Sequence, residues 1–459
     1  MPALSCLVDR AGALEREGED VNKSAVRAWI MYDWANSAYA TTVLAAVLPV
    51  FYSSVAADGL EKTTAASYLA YTHAIGMALV AILSPLLGAI SDLSGRKTTF
   101  LTCFTLLGIV STSCFALVER GDWLMASAFL VLSTLGFSGG NAFYDSMLPD
   151  LVPPERRDEI SSKGYAAGYV GGGILLALNL LMIQKPSLFG ISDGLTGTRW
   201  AFVTVGVWWL LFALPVMRRV PNLERQTSGL TAAGYVRSGL KRIAGAYRDI
   251  RRYPQLFKLI AAFWFYNDGI NTIILMATIY GTTIGIGTSD LILALLITQF
   301  VGFPSTLLLG KAAVRFGPKR TLLASLFMYV LIVALGYWMT QALHFYLLAV
   351  MVGLVQGGSQ SISRSLLSDL MPMGRTGELF GFVNITSKFS SIFGPFFFGL
   401  VGQLTGSSRM GILSLLLFFG LGIVILMKVD VERGKNDSLQ GRFTDNGGPV
   451  SAETERLVT

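Results

Sequence analysis

Residues 88–97 read Gly88-Ala-Ile-Ser-Asp92-Leu-Ser-Gly95-Arg96-Lys97, and residues 310–319 read Gly310-Lys-Ala-Ala-Val314-Arg-Phe-Gly317-Pro318-Lys319. Each decapeptide lies between two long apolar stretches, and the glycines coincide at an offset of 222 residues. Glycine permits the tight backbone turn that joins two helices. Two further pairs follow in the same order. Asp150-Leu-Val-Pro153, with Glu159 after it, returns 219 residues later as Asp369-Leu-Met-Pro372, with Glu378 after it. Asp33-x-x-Asn36 returns as Asp268-x-x-Asn271 at an offset of 235. Three ordered matches at similar spacing point to an internal duplication.

The duplicated unit is a set of apolar helices. Twelve segments run at about 28–55, 66–90, 98–118, 123–148, 163–183, 199–217, 256–281, 290–310, 320–340, 343–370, 380–404 and 408–428. Crossing the hydrocarbon core of a bilayer takes about 20 apolar residues, so most segments suffice and the longest imply tilt. Composition agrees: of 459 residues 53% are apolar and only 14% charged, where soluble domains carry about 25% charged residues. Mean hydropathy is +0.56. A soluble dinucleotide-binding enzyme, a disulfide scaffold, a disordered chain and a nucleic-acid binder all fit poorly. The expected fold is an all-α membrane protein, with twelve transmembrane helices in two pseudo-symmetric six-helix bundles. Pro49, Pro85, Pro304 and Pro395 fall inside segments, which packed membrane helices tolerate.

The expected organisation is a cytoplasmic tail over 1–27, bundles over 28–217 and 256–428, a basic linker over 218–255, and a disordered cytoplasmic tail over 429–459. Orientation follows from the basic residues. The tails and the loops on their side hold 29 Lys and Arg, and the opposite loops hold 5, so both termini are expected in the cytoplasm. The other two basic residues, Arg364 and Lys388, lie inside apolar segments. In the linker, Val236, Leu240, Ile243, Tyr247 and Ile250 form one apolar stripe at helical spacing, with Arg and Lys on the other faces. Such a helix lies on the anionic inner leaflet. Residues 218–258 alone carry a net charge of +8 against +7 for the chain, so the basic balance reflects membrane contact rather than nucleic acid. The N-terminal residues mix acids and bases and lack the pattern of a signal peptide. Cys6 is in the tail. Cys103 and Cys114 stand eleven residues apart in one segment, too far to bond along a straight helix. No metal-ligand spacing is present, and no cofactor is expected.

Gly88-x-x-x-Asp92-x-x-Gly95-Arg96-Lys97 resembles the loop between the second and third helices of the major facilitator superfamily. In that family such a loop makes charge contacts with neighbouring helix ends on the inner face, latching the outward-facing state. The second copy departs from it, with Val314 for the acid and Pro318 for the first base. Tyr32-Asp33-Trp34-Ala35-Asn36 in segment one, Asn141-Ala-Phe-Tyr144-Asp145 in segment four, Gln356-Gly-Gly-Ser-Gln360 with Arg364 in segment ten, and Glu378-Leu-Phe-Gly381 with Lys388, Gly394 and Pro395 in segment eleven resemble the vacuole-effluxer-like branch of that superfamily. The resemblance covers about residues 28–428. It implies export of an amino-acid-like solute.

Charges in lipid cost about 2.5–3.5 kcal/mol at the helix centre on insertion scales, so each intramembrane charge needs a reason. Asp145 and Arg364 stand at the same repeat offset of 219. They form either a cavity charge pair that opens for a zwitterion or proton, or a permanent structural ion pair. Asp268 and Asn271 share a helix face about 18 Å into segment seven, near mid-membrane. A carboxylate beside an amide suits an ammonium group or a proton, and an ordinary interhelical hydrogen bond is the alternative. Asp33 and Asn36 repeat this arrangement closer to the inner interface. Lys388 either lines the cavity or snorkels. His73 either carries a proton or packs. Gln356 is a further candidate for the path. Segment five holds Gly164, Gly168, Gly171, Gly172 and Gly173, which fit close helix packing rather than a phosphate loop.

These features lead to a secondary transporter of a small polar solute, with protons as candidate coupling ions and no ATP-binding motif. No catalytic constellation suggests an enzyme. The alternative is a transporter-like sensor that binds solute without flux. A monomer is expected, in the inner membrane of a bacterium or the vacuolar membrane of a eukaryote.

Overall fold

The computed structural model describes residues 23–152, 157–222, 250–371 and 376–444. Each of the twelve apolar segments coincides with a helix: α1 (Lys23–Ala56), α2 (Lys62–Ser94), α3 (Lys97–Cys114), α4 (Trp123–Leu151), α5 (Arg157–Gln184), α6 (Gly194–Arg219), α7 (Pro254–Thr283), α8 (Thr288–Phe316), α9 (Pro318–Tyr337), α10 (Ala342–Leu370), α11 (Thr376–Thr405) and α12 (Ser408–Met427). Among the described residues, ten helices are long and apolar enough to cross a bilayer, or eleven if the bent α8 is taken as one span. The fold is all-α and of membrane-protein type. α8 bends by 40° between Gly302 and Pro304, where a proline removes one backbone hydrogen bond and crowds the preceding turn.

The turn glycines of the repeat behave alike. Gly95, between α2 and α3, has φ +69°, and Gly317, between α8 and α9, has φ +91°. Both positions favour a residue without Cβ. Gly88 lies within α2 and Gly310 within α8.

The described residues form two compact units, 23–60 with 75–222, and 61–74 with 250–444. The expected border at the central linker therefore misplaces one segment: the first turns of α2 pack with the second unit. Ser67 Oγ donates to the Gly399 carbonyl at 2.9 Å, and Tyr71 OH donates to Gln403 Oε1 at 2.9 Å. An apolar pattern alone assigns a continuous helix to one bundle, and these two polar contacts place its start elsewhere.

Inside the first unit, tyrosines of α1 form a ladder of hydroxyl contacts. Tyr32 OH pairs with Thr105 Oγ1, Tyr39 OH donates to Ser133 Oγ and Tyr52 OH pairs with Ser127 Oγ, each at 2.8 Å. A buried phenol needs such a partner, because an unpaired polar group in an apolar interior is costly. α3 and α4 cross with their backbones touching at Gly108 and Gly136, as small residues allow in membrane bundles. The second unit uses the same device: Tyr266 OH pairs with Ser363 Oγ at 2.7 Å and Tyr280 OH donates to the Gly336 carbonyl at 2.6 Å.

The expectation of a disordered tail over 429–459 is corrected for part of its length. A further helix, α13 (Val431–Thr444), follows α12. Asp430 caps its start, accepting from the Arg433 N–H at 3.0 Å. Ser438 Oγ then donates to the Met371 carbonyl at 2.8 Å, and Gly434 lies against Leu370 and Gln255. The polar composition reads as disorder because docking on α7 and α10, rather than a long apolar face, holds this helix. The expected basic amphipathic helix lies outside the described residues except for its last residues, of which Ile250 is fully buried. Cys103 and Cys114 are both free thiols on α3.

Candidate functional site

α1 in the first unit and α7 in the second each carry a carboxylate with an amide one turn later, and each pair meets polar partners inside its own unit. In the first unit, Tyr144 OH of α4 donates to Asp33 Oδ2 at 2.9 Å. Asn36, 3% exposed, donates from Nδ2 to Asn141 Oδ1, also on α4, at 2.6 Å. Tyr144 is held in turn by a stacked contact with Trp29, ring centroids 4.3 Å apart, and its carbonyl accepts from Trp29 Nε1 at 3.0 Å. Asp145 follows Tyr144 on α4 and is exposed.

In the second unit the partner helix changes. Asp268 is 2% exposed, and its Oδ2 accepts from the backbone N–H of Gly394 on α11 at 2.7 Å. Its Oδ1 is buried with no hydrogen-bond partner among the described residues. Asn271 Nδ2 donates to Ser391 Oγ across a long 3.4 Å. The Thr272 hydroxyl, beside Asp268 on the same face, donates back to the Asp268 carbonyl at 2.8 Å. A carboxylate oxygen removed from water and left without a donor is an expensive arrangement, and such groups inside membranes concentrate on transport pathways.

The remaining expected residues are less enclosed. Gln356 is half-buried on α10, and Arg364 is exposed two turns further along the same helix. Lys388 lies on α11 one turn before Ser391, with its side chain outside the described residues. His73, on α2, is 8% exposed, and its Nδ1 has no partner among the described residues.

The loop between α2 and α3 is built around Lys97. Its ammonium donates to Asp150 Oδ2 at 2.7 Å and to the Ser146 carbonyl at 2.8 Å, both near the end of α4. Gly95 supplies the turn, Arg96 is exposed at the start of α3, and Asp92 lies in the last turn of α2 with its side chain outside the described residues.

Several residues that complete these sites were not among the expected ones: Asn141, Tyr144, Asp150, Ser391 and Gly394. Each left a trace. Asn141 and Tyr144 stand at i, i+3 in front of Asp145, and Asp150 belongs to the repeated Asp-Leu-x-Pro stretch. Gly394 precedes the in-helix Pro395.

Solved structures share the architecture. A D-xylose–proton symporter matches with a TM-score of 0.61 at 15% identity, covering 90% of this chain and 98% of that one. A bacterial homologue of the human lysosomal transporter Spinster matches with a TM-score of 0.60 at 16% identity, covering 94% and 99%. The chain is a membrane transporter of the major facilitator type. Residues 58–439 match the family described as vacuole effluxer Atg22 like, and the chain belongs to that family. The MFS-type transporter YxiO of Bacillus subtilis is 37% identical over 418 residues, covering 90% of this chain and 96% of that protein. Autophagy-related protein 22-1 of Aspergillus niger is 24% identical over 468 residues, covering 83% and 75%.

Proposed function

We propose that this transporter is a secondary exporter of an amino-acid-like solute, working by alternating access and coupled to protons, with Asp268 and Asn271 as its central polar site. The observation that supports this reading is the buried Asp268 carboxylate. One oxygen is held by the Gly394 N–H, and the other lacks a donor among the described residues. A solute ammonium group or a proton supplies the missing partner. Asp33 and Asn36 contribute the matching site of the first unit, while Asp145, Gln356, Arg364 and Lys388 line the path. Asp145 is the further charged candidate of the first unit and Arg364 that of the second.

Gly88, Asp92, Gly95, Arg96 and Lys97 form the cytoplasmic gating loop in this reading, with Lys97 as its anchor. The excess of Lys and Arg on one side favours both termini in the cytoplasm and the basic linker on an anionic inner leaflet. In this reading the protein is a monomer, in the inner membrane of a bacterium or the vacuolar membrane of a eukaryote.

The test is flux in proteoliposomes. Labelled amino acids are screened singly, with and without a pH gradient, for the wild type, Asp268→Asn and Arg364→Ala. At least one amino acid should move, faster with the gradient. Asp268→Asn should lose about tenfold or more in flux, as loss of a buried charged partner implies, and Arg364→Ala should lower flux as well, as loss of a pathway charge implies. Equal flux in all three proteins removes the site. Flux indifferent to pH removes proton coupling, and solute binding without flux identifies a sensor.

A further inference from the structure

The carboxylates of Asp33 and Asp268 share a neighbour that the repeat offsets do not reveal. In each unit the fifth helix sets a glycine directly against the acid of the first. A methyl group at Gly164 of α5 would come within 2.5 Å of Asp33 Oδ2 and 3.2 Å of the Tyr144 hydroxyl that bonds it. A methyl group at Gly394 of α11 would come within 2.8 Å of Asp268 Oδ1 and would also strike Thr272 Oγ1. Asp33 and Ser37 stand four residues apart on α1, as Asp268 and Thr272 do on α7. The first unit divides the contact between two glycines, Gly164 facing Asp33 and Gly168 facing Ser37. The second unit makes both contacts with Gly394 alone. Its backbone N–H also donates to Asp268 Oδ2 at 2.7 Å, so the helix that leaves room for the acid grips it as well.

We propose that Gly394, and Gly164 in the other unit, are positioning residues that clasp the carboxylate of the first helix against the fifth. The clasp fixes the direction of the acid and keeps any side chain away from it. This rests on the reading of Asp268 as part of the transport site. In the second unit the grip on Oδ2 leaves Oδ1 buried beside Gly394 and without a donor among the described residues. Any Cβ at position 394 occupies space next to that oxygen, so even alanine alters the site. The clasp also ties the orientation of the acid to the spacing of two helices, because its donor is backbone and not a rotatable side chain.

Carboxyl modification reads this directly. Purified full-length protein in liposomes is treated with dicyclohexylcarbodiimide across a pH series, and labelling of Asp268 is followed by peptide mass spectrometry. The variants are Gly394→Ala, the double variant Gly394→Ala/Thr272→Ala, and Gly402→Ala. The double variant removes the clash with Thr272 Oγ1 but keeps the methyl group beside Asp268. At Gly402 a methyl group meets nothing closer than 3.5 Å. Alanine keeps the backbone N–H, but its methyl group pushes the carboxylate out of line with that donor. Gly394→Ala and the double variant should therefore displace the pH profile of Asp268 labelling by about one unit or more, the scale on which a weakened hydrogen bond to the charged form acts. Gly402→Ala should leave it in place. An unaltered profile in the folded double variant overturns the clasp and leaves Gly394 as packing alone. Asp268→Asn flux tests the transport reading separately: unchanged flux there removes that reading whatever the labelling shows.

Discussion

Lys435 of α13 sets its ammonium 3.4 Å from the carboxylate of Asp369 near the end of α10. The repeat partner of Asp369 is Asp150, which Lys97 holds at 2.7 Å. Both acids therefore hold a lysine, but from different sources. The lysine equivalent to Lys97 is Lys319, which instead caps α12 by donating to the carbonyls of Met427 at 2.9 Å and Val429 at 2.6 Å. In the second unit the terminal helix occupies the place that the inter-helix loop fills in the first.

The exposed Lys435–Asp369 pair is worth little by itself, and the packed Gly434 contact more. Lys435→Ala should cost below about 1 kcal/mol. Gly434→Leu drives a side chain into Leu370, whose side chain a Cβ would already meet at 2.8 Å, and should cost about 1–3 kcal/mol. Thermal unfolding midpoints in detergent check the order of the two.

Lys97 is mostly shielded and holds two acceptors, so its loss should exceed that of its partner. Lys97→Ala leaves Asp150 and the Ser146 carbonyl without the ammonium, whereas Asp150→Ala leaves Lys97 on Ser146. A double-mutant cycle should give a coupling of about 1–2 kcal/mol, with the lysine variant the less stable.

The glycines of α5 should separate sharply. A methyl group at Gly171 would lie 2.7 Å from the carbonyl and ring of Trp34, while one at Gly173 meets nothing within 4 Å. Gly171→Ala should destabilise by about 1–3 kcal/mol, and Gly173→Ala should be neutral or stabilise by up to about 1 kcal/mol. The same melting experiment decides this.

Asp193 caps α6, accepting from the Thr196 N–H at 2.9 Å, and that backbone bond, with help from the Ser192 hydroxyl, holds its carboxyl below the usual Asp range. A depressed acid stabilises the folded state fully above its unfolded value, and the contribution is lost as pH falls through the lowered one. Hydrogen exchange of the amides at 195–197 should therefore speed up in Asp193→Ala near neutral pH. In the wild type it should loosen only under acid conditions, below the ordinary Asp range.

Much of this architecture was legible in the amino-acid order. The helices follow the apolar runs because lipid leaves few alternatives. Gly95 and Gly317 turn as their matched positions suggest. Of the five α5 glycines expected to pack, Gly164, Gly168, Gly171 and Gly172 lie against α1, while Gly173 meets nothing within 4 Å. What escaped was set by tertiary contact. Asp268 finds α11 whereas Asp33 finds α4, a divergence that identical Asp-x-x-Asn spacing cannot signal. Ser67 and Tyr71 look like ordinary polar breaks in an apolar run, yet they decide where the start of α2 belongs. Lys435 is one charge among many in a polar tail until Asp369 is seen beside it.

The allegiance of residues 61–74 also limits how modular this duplicated chain can be. A polypeptide cut within the central linker carries Ser67 and Tyr71 on the front piece and their acceptors, Gly399 and Gln403, on the rear one. Expressed alone, the rear piece lacks the helical turns that carry these two donors, and co-expression with the front piece should supply them. A cut in the linker therefore severs the second unit instead of freeing it.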